Sequence, residues 1–147
     1  MVGLVFAIAL PPLVWSGVQV SSSRDPSEIM ETMVDPAANF IWDSVSTVVT
    51  SEGVEEKSPR TDKEWNDLRR AASRLGDGGK LLKQLQRGGR NGDWQKWAQA
   101  VVDAADATLK AVDARNADRV FEVGEEIYNT CVGCHGGYWR MADRRVP

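Results

Sequence analysis

From residue 25 onward the apolar residues recur at helical spacing, with no convincing alternation of the kind that marks strands. Met30, Val34, Ala37, Ile41, Val45 and Val48 form one such row and predict a first helix. Asp25-Pro26-Ser27-Glu28 opens it: a side-chain acceptor at the N-cap, a proline at the first helical position and a glutamate three residues after the cap. Asp35-Pro36 interrupts the row, because proline brings no N–H to the helical ladder. A kink or a fresh start is expected there, with Asp35 available as a second cap. The polar stretch 49–60, which contains Gly53 and Pro59, predicts a surface loop.

Thr61-Asp62-Lys63-Glu64 has the form of a capping box, and Trp65, Leu68, Ala72, Leu75, Gly79, Leu82 and Leu85 follow at steps of three and four. These residues predict a second helix. Gly76, Gly78 and Gly79 weaken it by up to ~1 kcal/mol each relative to alanine, which implies a local bend or the close approach of another group. After a loop over 87–93, Asp93 is placed to cap a third helix carrying Trp94, Trp97, Val101, Ala104 or Ala105, Thr108 and Val112 on one side. Asn116 is placed to cap a fourth, with Val120, Val123 or Gly124, Ile127, Cys131, Cys134 and Tyr138 in register. Four amphipathic helices with mostly short connections predict an all-α fold, an antiparallel up-down-up-down four-helix bundle over residues 24–147. Core packing is the expected role of Trp42, Trp65, Trp94 and Trp97.

The first 23 residues are of different composition, with no charged side chain. Val2 to Val20 approaches the ~20 apolar residues that span a bilayer, although Pro11 and Pro12 stand in its middle. Residues 1–23 therefore read as an export signal or membrane anchor, a buried core helix being the alternative. The 147 residues suffice for one ordinary domain. Eighteen basic against 21 acidic residues leave a net charge of −3, which argues against a nucleic-acid partner. Two cysteines and one histidine are too few for a disulfide framework or a zinc site ligated by these residue types alone.

Those three residues stand together as Cys131-Val132-Gly133-Cys134-His135, the C-x-x-C-H attachment pattern of haem c. The spacing has a chemical reason: two thiols add to the two vinyl groups of one porphyrin, and the adjacent imidazole reaches the iron from one face. A thioredoxin-like redox pair would need a strand leading into a helix start, whereas this motif lies about four turns into a helical pattern. A structural zinc site or an inert disulfide are further alternatives. Only 12 residues follow His135, so Met141 cannot readily wrap to the opposite face of a porphyrin, and a sixth ligand must come from upstream.

With its motif near the C-terminus of a helical chain, the sequence resembles the class II c-type cytochromes, the cytochrome c prime group. The resemblance covers about residues 25–140, and Cys131 to Tyr138 with Arg140 is similar to that group's C-x-x-C-H-x-x-Tyr-Arg ending. Trp139 stands between Tyr138 and the arginine, a departure from the family pattern that displaces Arg140 from the position of the family arginine packed near the haem. The stretch IMETMVDPAANFIWDSV, residues 29–45, also resembles small exported bacterial haem proteins of this class. In such a bundle the first helix runs antiparallel to the fourth, which brings Met30 and Met33 near the motif. Met30 shares the main apolar stripe with Val34, Ala37 and Ile41; Met33 falls on a flanking row with Ile29 and Phe40. Met30 is the preferred sixth ligand and Met33 the fallback.

The expectation is a mono-haem electron carrier with one covalently bound haem c, held by Cys131 and Cys134 and ligated by His135 and Met30. Arg140, Arg144 and Arg145 are candidate partners for the haem propionates. No catalytic triad, phosphate loop or paired carboxylates point to an enzyme, and Glu125 and Glu126 read as a solvated face. The expected location is the periplasm, soluble or anchored through residues 2–20. Redox proteins are the expected partners, with a homodimer or a membrane complex as further possibilities. Two alternatives stay open: a five-coordinate protein that binds NO or CO, if Met30 only packs, and a membrane-held relay or structural subunit, with Trp15 and Trp139 at an interface or over the haem edge.

Overall fold

The computed structural model describes residues 25–85 and 93–142, with side chains described as far as Tyr138. The expected signal or anchor segment over 1–23, most of the loop over 87–93, and Arg144 and Arg145 lie outside the described residues. The described chain is mainly helical: α1 (Pro26–Ile29), a π-helical turn (Met30–Val34), α2 (Asp35–Ser44), β1 (Ser46–Thr50), β2 (Gly53–Lys57), α3 (Asp62–Gln84), α4 (Asp93–Asp113) and α5 (Ala117–Ala142). Among these residues no helix is long and apolar enough to cross a membrane.

Local chemistry explains where the helices begin. The Asp25 carboxylate accepts from the Ser27 N–H ahead of α1, with Pro26 at the first helical position. At α3 the Thr61 hydroxyl accepts from the Glu64 N–H, and the Glu64 carboxylate accepts in return from the Thr61 N–H at 2.8 Å. The Arg60 N–H, which donates to the same carboxylate oxygen at 2.8 Å, and then the Thr61 N–H and hydroxyl hold the Glu64 carboxyl below its ordinary pKa. The Asn116 side chain accepts from the Arg119 N–H at 2.9 Å to start α5. Just before it Arg115 adopts a left-handed φ of 50°, closing the turn with a bond from the Asn116 N–H to the Ala111 carbonyl.

Two expectations are corrected. The stretch 49–60 is not a plain loop, because β1 and β2 form an antiparallel hairpin in which Val49 faces Val54 and Thr50 faces Gly53. A run of β-branched residues over 47–50 favours extended backbone, and Gly53, at φ +144°, supplies a conformation that side chains disfavour. Val48, assigned from its spacing to the first helical face, therefore lies on a strand and is exposed. At Asp35-Pro36 the expected fresh start with Asp35 as its cap is absent: the chain stays helical through the π turn, and no side-chain cap precedes α2.

Packing partners establish directions. Asp62 at the start of α3 pairs with Arg115 just beyond α4, and Arg69 pairs with Asp113 at the end of α4. At the other end Trp94 Nε1 donates to the Leu82 carbonyl and the Gln95 amide to the Lys83 carbonyl, both at 2.8 Å. The last carbonyls of α3, which a helix leaves without partners, are thus satisfied by the first turn of α4. Helices α3 and α4 run antiparallel. Trp42 near the end of α2 donates to the Gly124 carbonyl early in α5 at 2.9 Å, while Met30 lies near Cys131 and Cys134, so the N-terminal helical run and α5 are antiparallel as well.

The core between them holds Ile29, Val34, Ile41, Leu68, Leu75, Val120 and Val123, interleaved with alanines at 72, 98, 104, 105 and 111. Ile29, placed by spacing on a flanking row, is a core residue. The glycines of α3 mark close approach. A Cβ at Gly79 would stand 2.9 Å from Val102 Cγ2, and one at Gly76 would stand 3.3 Å from Ala105 Cβ. Thr108, polar and fully buried, donates to the Ala104 carbonyl at 2.8 Å.

Leu68 is fully buried at the centre of this packing. Leu68→Ala should lower unfolding free energy by about 2–5 kcal/mol. Thr61→Ala, which removes one cap at the surface, should cost about 0.5–2 kcal/mol. Denaturant titration of the two variants measures both and should preserve that order.

Candidate functional site

The buried stripe of α5 runs through Val120, Val123 and Ile127, and the next positions on it are Cys131 and Cys134. Residues three and four apart share a helix face, so the surface that builds the core turns, further along the same helix, into two thiols and an imidazole. Cys131, Cys134 and His135 are half-buried and line one groove, open to solvent at its mouth, whose cavity is only about 20 Å³. The opposite wall is built by Met30, Val34 and Asp35 from the π turn and the start of α2. Its floor comes from Leu82 and from Trp94, Trp97, Ala98 and Val101 of α4.

The structure therefore brings together four of the residues singled out from sequence: Cys131, Cys134, His135 and Met30. Met33 is not among the groove residues; its Cβ lies against Gly78 of α3. Arg140 falls within the span of α5 but outside the residues whose side chains are described, as do Trp139 and Met141. Trp65 and Trp94 are buried as expected of core residues, whereas Trp42 and Trp97 are half-buried and have more specific placements.

Trp97 is a site residue that spacing alone assigned to the core. Its ring lies against Gly133, between the two cysteines: a Cβ there would stand 2.1 Å from Trp97 Cη2. Only glycine leaves this strip of helix flat enough for a planar ring to rest on it. Lys96 Nζ stands 5.2 Å from the centre of the same ring, a cation–π contact. Trp94, which lines the groove, meets Tyr138 edge-on at a centroid distance of 5.2 Å. The sequence signal for the Trp97 contact was the glycine inside C-x-x-C together with an aromatic residue one turn into the third helix.

Asp35 is the second residue missed. It is exposed yet lines the groove, and its carboxylate raises the Cys131 thiol pKa, after the larger effect of burial. Burial, with a smaller contribution from Cys131, pushes Cys134 up to about 11. Both cysteines are free thiols. Among the described residues no group of three or more His, Cys, Asp or Glu side chains could hold a metal ion by themselves. The donors on offer are two thiols, one imidazole and one thioether, arranged across an apolar groove. Two thiols beside an imidazole are the donor types that a haem attached through sulfur would use, and the thioether is a further possible donor.

Thiolate is the reactive form of cysteine, and this fold disfavours it. In the haem-free chain at pH 8, iodoacetamide should modify Cys134 more slowly than in the same chain unfolded in urea, with the difference closing as pH approaches 11. The same raised pKa makes the folded state lose stability as pH climbs from the ordinary thiol value of about 8.5 towards 11, because only the unfolded chain then releases the proton freely. Equal alkylation rates at pH 8 would contradict the burial described above. Comparison of the chain with protein-family models, with curated proteins and with solved structures returned no match.

Proposed function

We propose that this chain is a mono-haem c-type cytochrome, an antiparallel four-helix bundle that carries electrons in the periplasm. The observation that supports it most directly is the convergence of Cys131, Cys134, His135 and Met30 on one groove, from opposite ends of the described chain. Cys131 and Cys134 would hold the porphyrin as thioethers, His135 would ligate the iron on one side and Met30 on the other. Bound in this way, haem supplies a one-electron Fe(III)/Fe(II) couple.

The remaining work falls to the chain. Val34, Leu82, Ala98 and Val101 present hydrocarbon to the groove, which limits water and favours the less charged, reduced state. A thioether ligand acts in the same direction, since methionine raises the potential relative to a second imidazole. The Asp35 carboxylate at the rim opposes both by favouring positive charge nearby. Packing of the π turn and α2 on α3, of α3 on α4 and of α4 on α5 holds the two walls in place, so the donors would need little rearrangement between oxidation states. Export through residues 1–23 and redox proteins as partners complete the proposal, because attachment of haem c usually takes place outside the bacterial cytoplasmic membrane.

Absorption spectroscopy of protein made in a host competent for cytochrome c maturation tests this reading. The reduced wild-type protein should give a sharp low-spin α band that carbon monoxide leaves unchanged. Met30→Ala should become high-spin and bind CO, with a lowered reduction potential. Cys131→Ser together with Cys134→Ser should abolish covalent attachment. A wild-type spectrum that shifts with CO would instead favour the five-coordinate, gas-binding alternative.

A further inference from the structure

The π turn stands where the candidate distal ligand is, and its cause can be traced through three residues. Pro36 has no N–H, so the Thr32 carbonyl, four residues earlier, lacks its usual helical donor. Arg74 of α3 supplies one instead: its Nη2 donates to Thr32 O at 2.5 Å. With that carbonyl drawn outward, the ladder closes one residue wider, and the Asp35 N–H bonds to the Met30 carbonyl. Gly78, one turn beyond Arg74 on the same face of α3, lets the wider turn lie close. A Cβ at Gly78 would be 2.7 Å from Val34 Cγ2, a collision that a stiff β-branched side chain cannot readily relieve.

The wider turn changes which side chains share a face. In a regular α-helix, residues five apart are about 140° apart round the axis. Across an i→i+5 turn they lie nearly above one another, and the structure shows two such pairs. Ile29 and Val34 are both in the core, and Met30 and Asp35 both line the groove. In a regular helix with α2 and Val34 unchanged, every residue before the turn would rotate by about 100°, the angle of one residue. Met30 would then leave the groove wall for the core row that Ile29 occupies.

We infer that Pro36, Arg74 and Gly78 form a positioning device that sets Met30 as the distal ligand by enforcing the π turn. This rests on the proposed role of Met30. Arg74 acts through the Thr32 carbonyl and need not touch the haem itself. Pro36→Ala restores the missing N–H and allows the regular helix. Arg74→Ala removes the outward donor, while Arg74→Lys keeps a cationic donor on a long stem.

The experiment uses the full chain with haem attached, in wild-type form and as Met30→Ala, Pro36→Ala, Arg74→Ala and Arg74→Lys. Its readout is the far-red charge-transfer band of thioether-ligated Fe(III), scaled to covalent haem content, with CO binding by the reduced protein alongside. Wild type should show the band and Met30→Ala should lose it. Pro36→Ala should lose most of it and gain CO binding; Arg74→Ala should lose part, and Arg74→Lys should recover it. A full wild-type band in Pro36→Ala overturns the inference while leaving Met30 as ligand. If Pro36→Ala does not fold, a full band in Arg74→Ala overturns it. Absence of the band from wild type removes the role of Met30, and the positioning device falls with it.

Discussion

One face of α5 serves two purposes, and the rest of the molecule is arranged around that constraint. A helix offers one side to its neighbours, and here that side carries Val120, Val123 and Ile127 into the core before it carries Cys131 and Cys134 into the groove. Burial of the first three fixes the rotation of the helix, and with it the direction of the thiols one and two turns on. Trp42 strengthens the same registration from the other side, since its indole N–H bonds the Gly124 carbonyl while its ring rests on the space where a Cβ would be. Hydrophobic packing thereby determines where the reactive side chains point.

Close approach is the second theme, and small residues make it possible. Gly79 admits Val101 and Val102 of α4, Gly78 admits the π turn, and Gly133 admits the ring of Trp97. Each contact brings one wall of the groove nearer another. The helical stability given up by glycine in α3, up to ~1 kcal/mol per position, is offset by the packing that its missing side chain allows.

Much of this was legible in the sequence because helix caps and apolar spacing are local signals. Thr61 with Glu64, Asp25 with Pro26, and Asn116 all act where their positions implied. The rows on α3, α4 and α5 are buried nearly as spaced, and Met30 meets the cysteine motif as antiparallel helices require. The hairpin was not legible because β2 is exposed throughout, so no alternation of apolar and polar residues marks it. The proline at 36 announced an irregularity but not its form, since the donor that completes the π turn, Arg74, is 42 residues away. Trp97 was ambiguous for the same reason: an aromatic residue at helical spacing reads as core until its neighbour Gly133 is known. Long-range partners decided the last two cases.

Whether the two thiols of α5 hold a porphyrin covalently is tested most directly by intact-protein mass spectrometry under denaturing conditions. Protein purified from a host that matures c-type cytochromes should carry the mass of one haem that survives acid and organic solvent. The unmodified mass of the polypeptide, from the same host, would contradict the account.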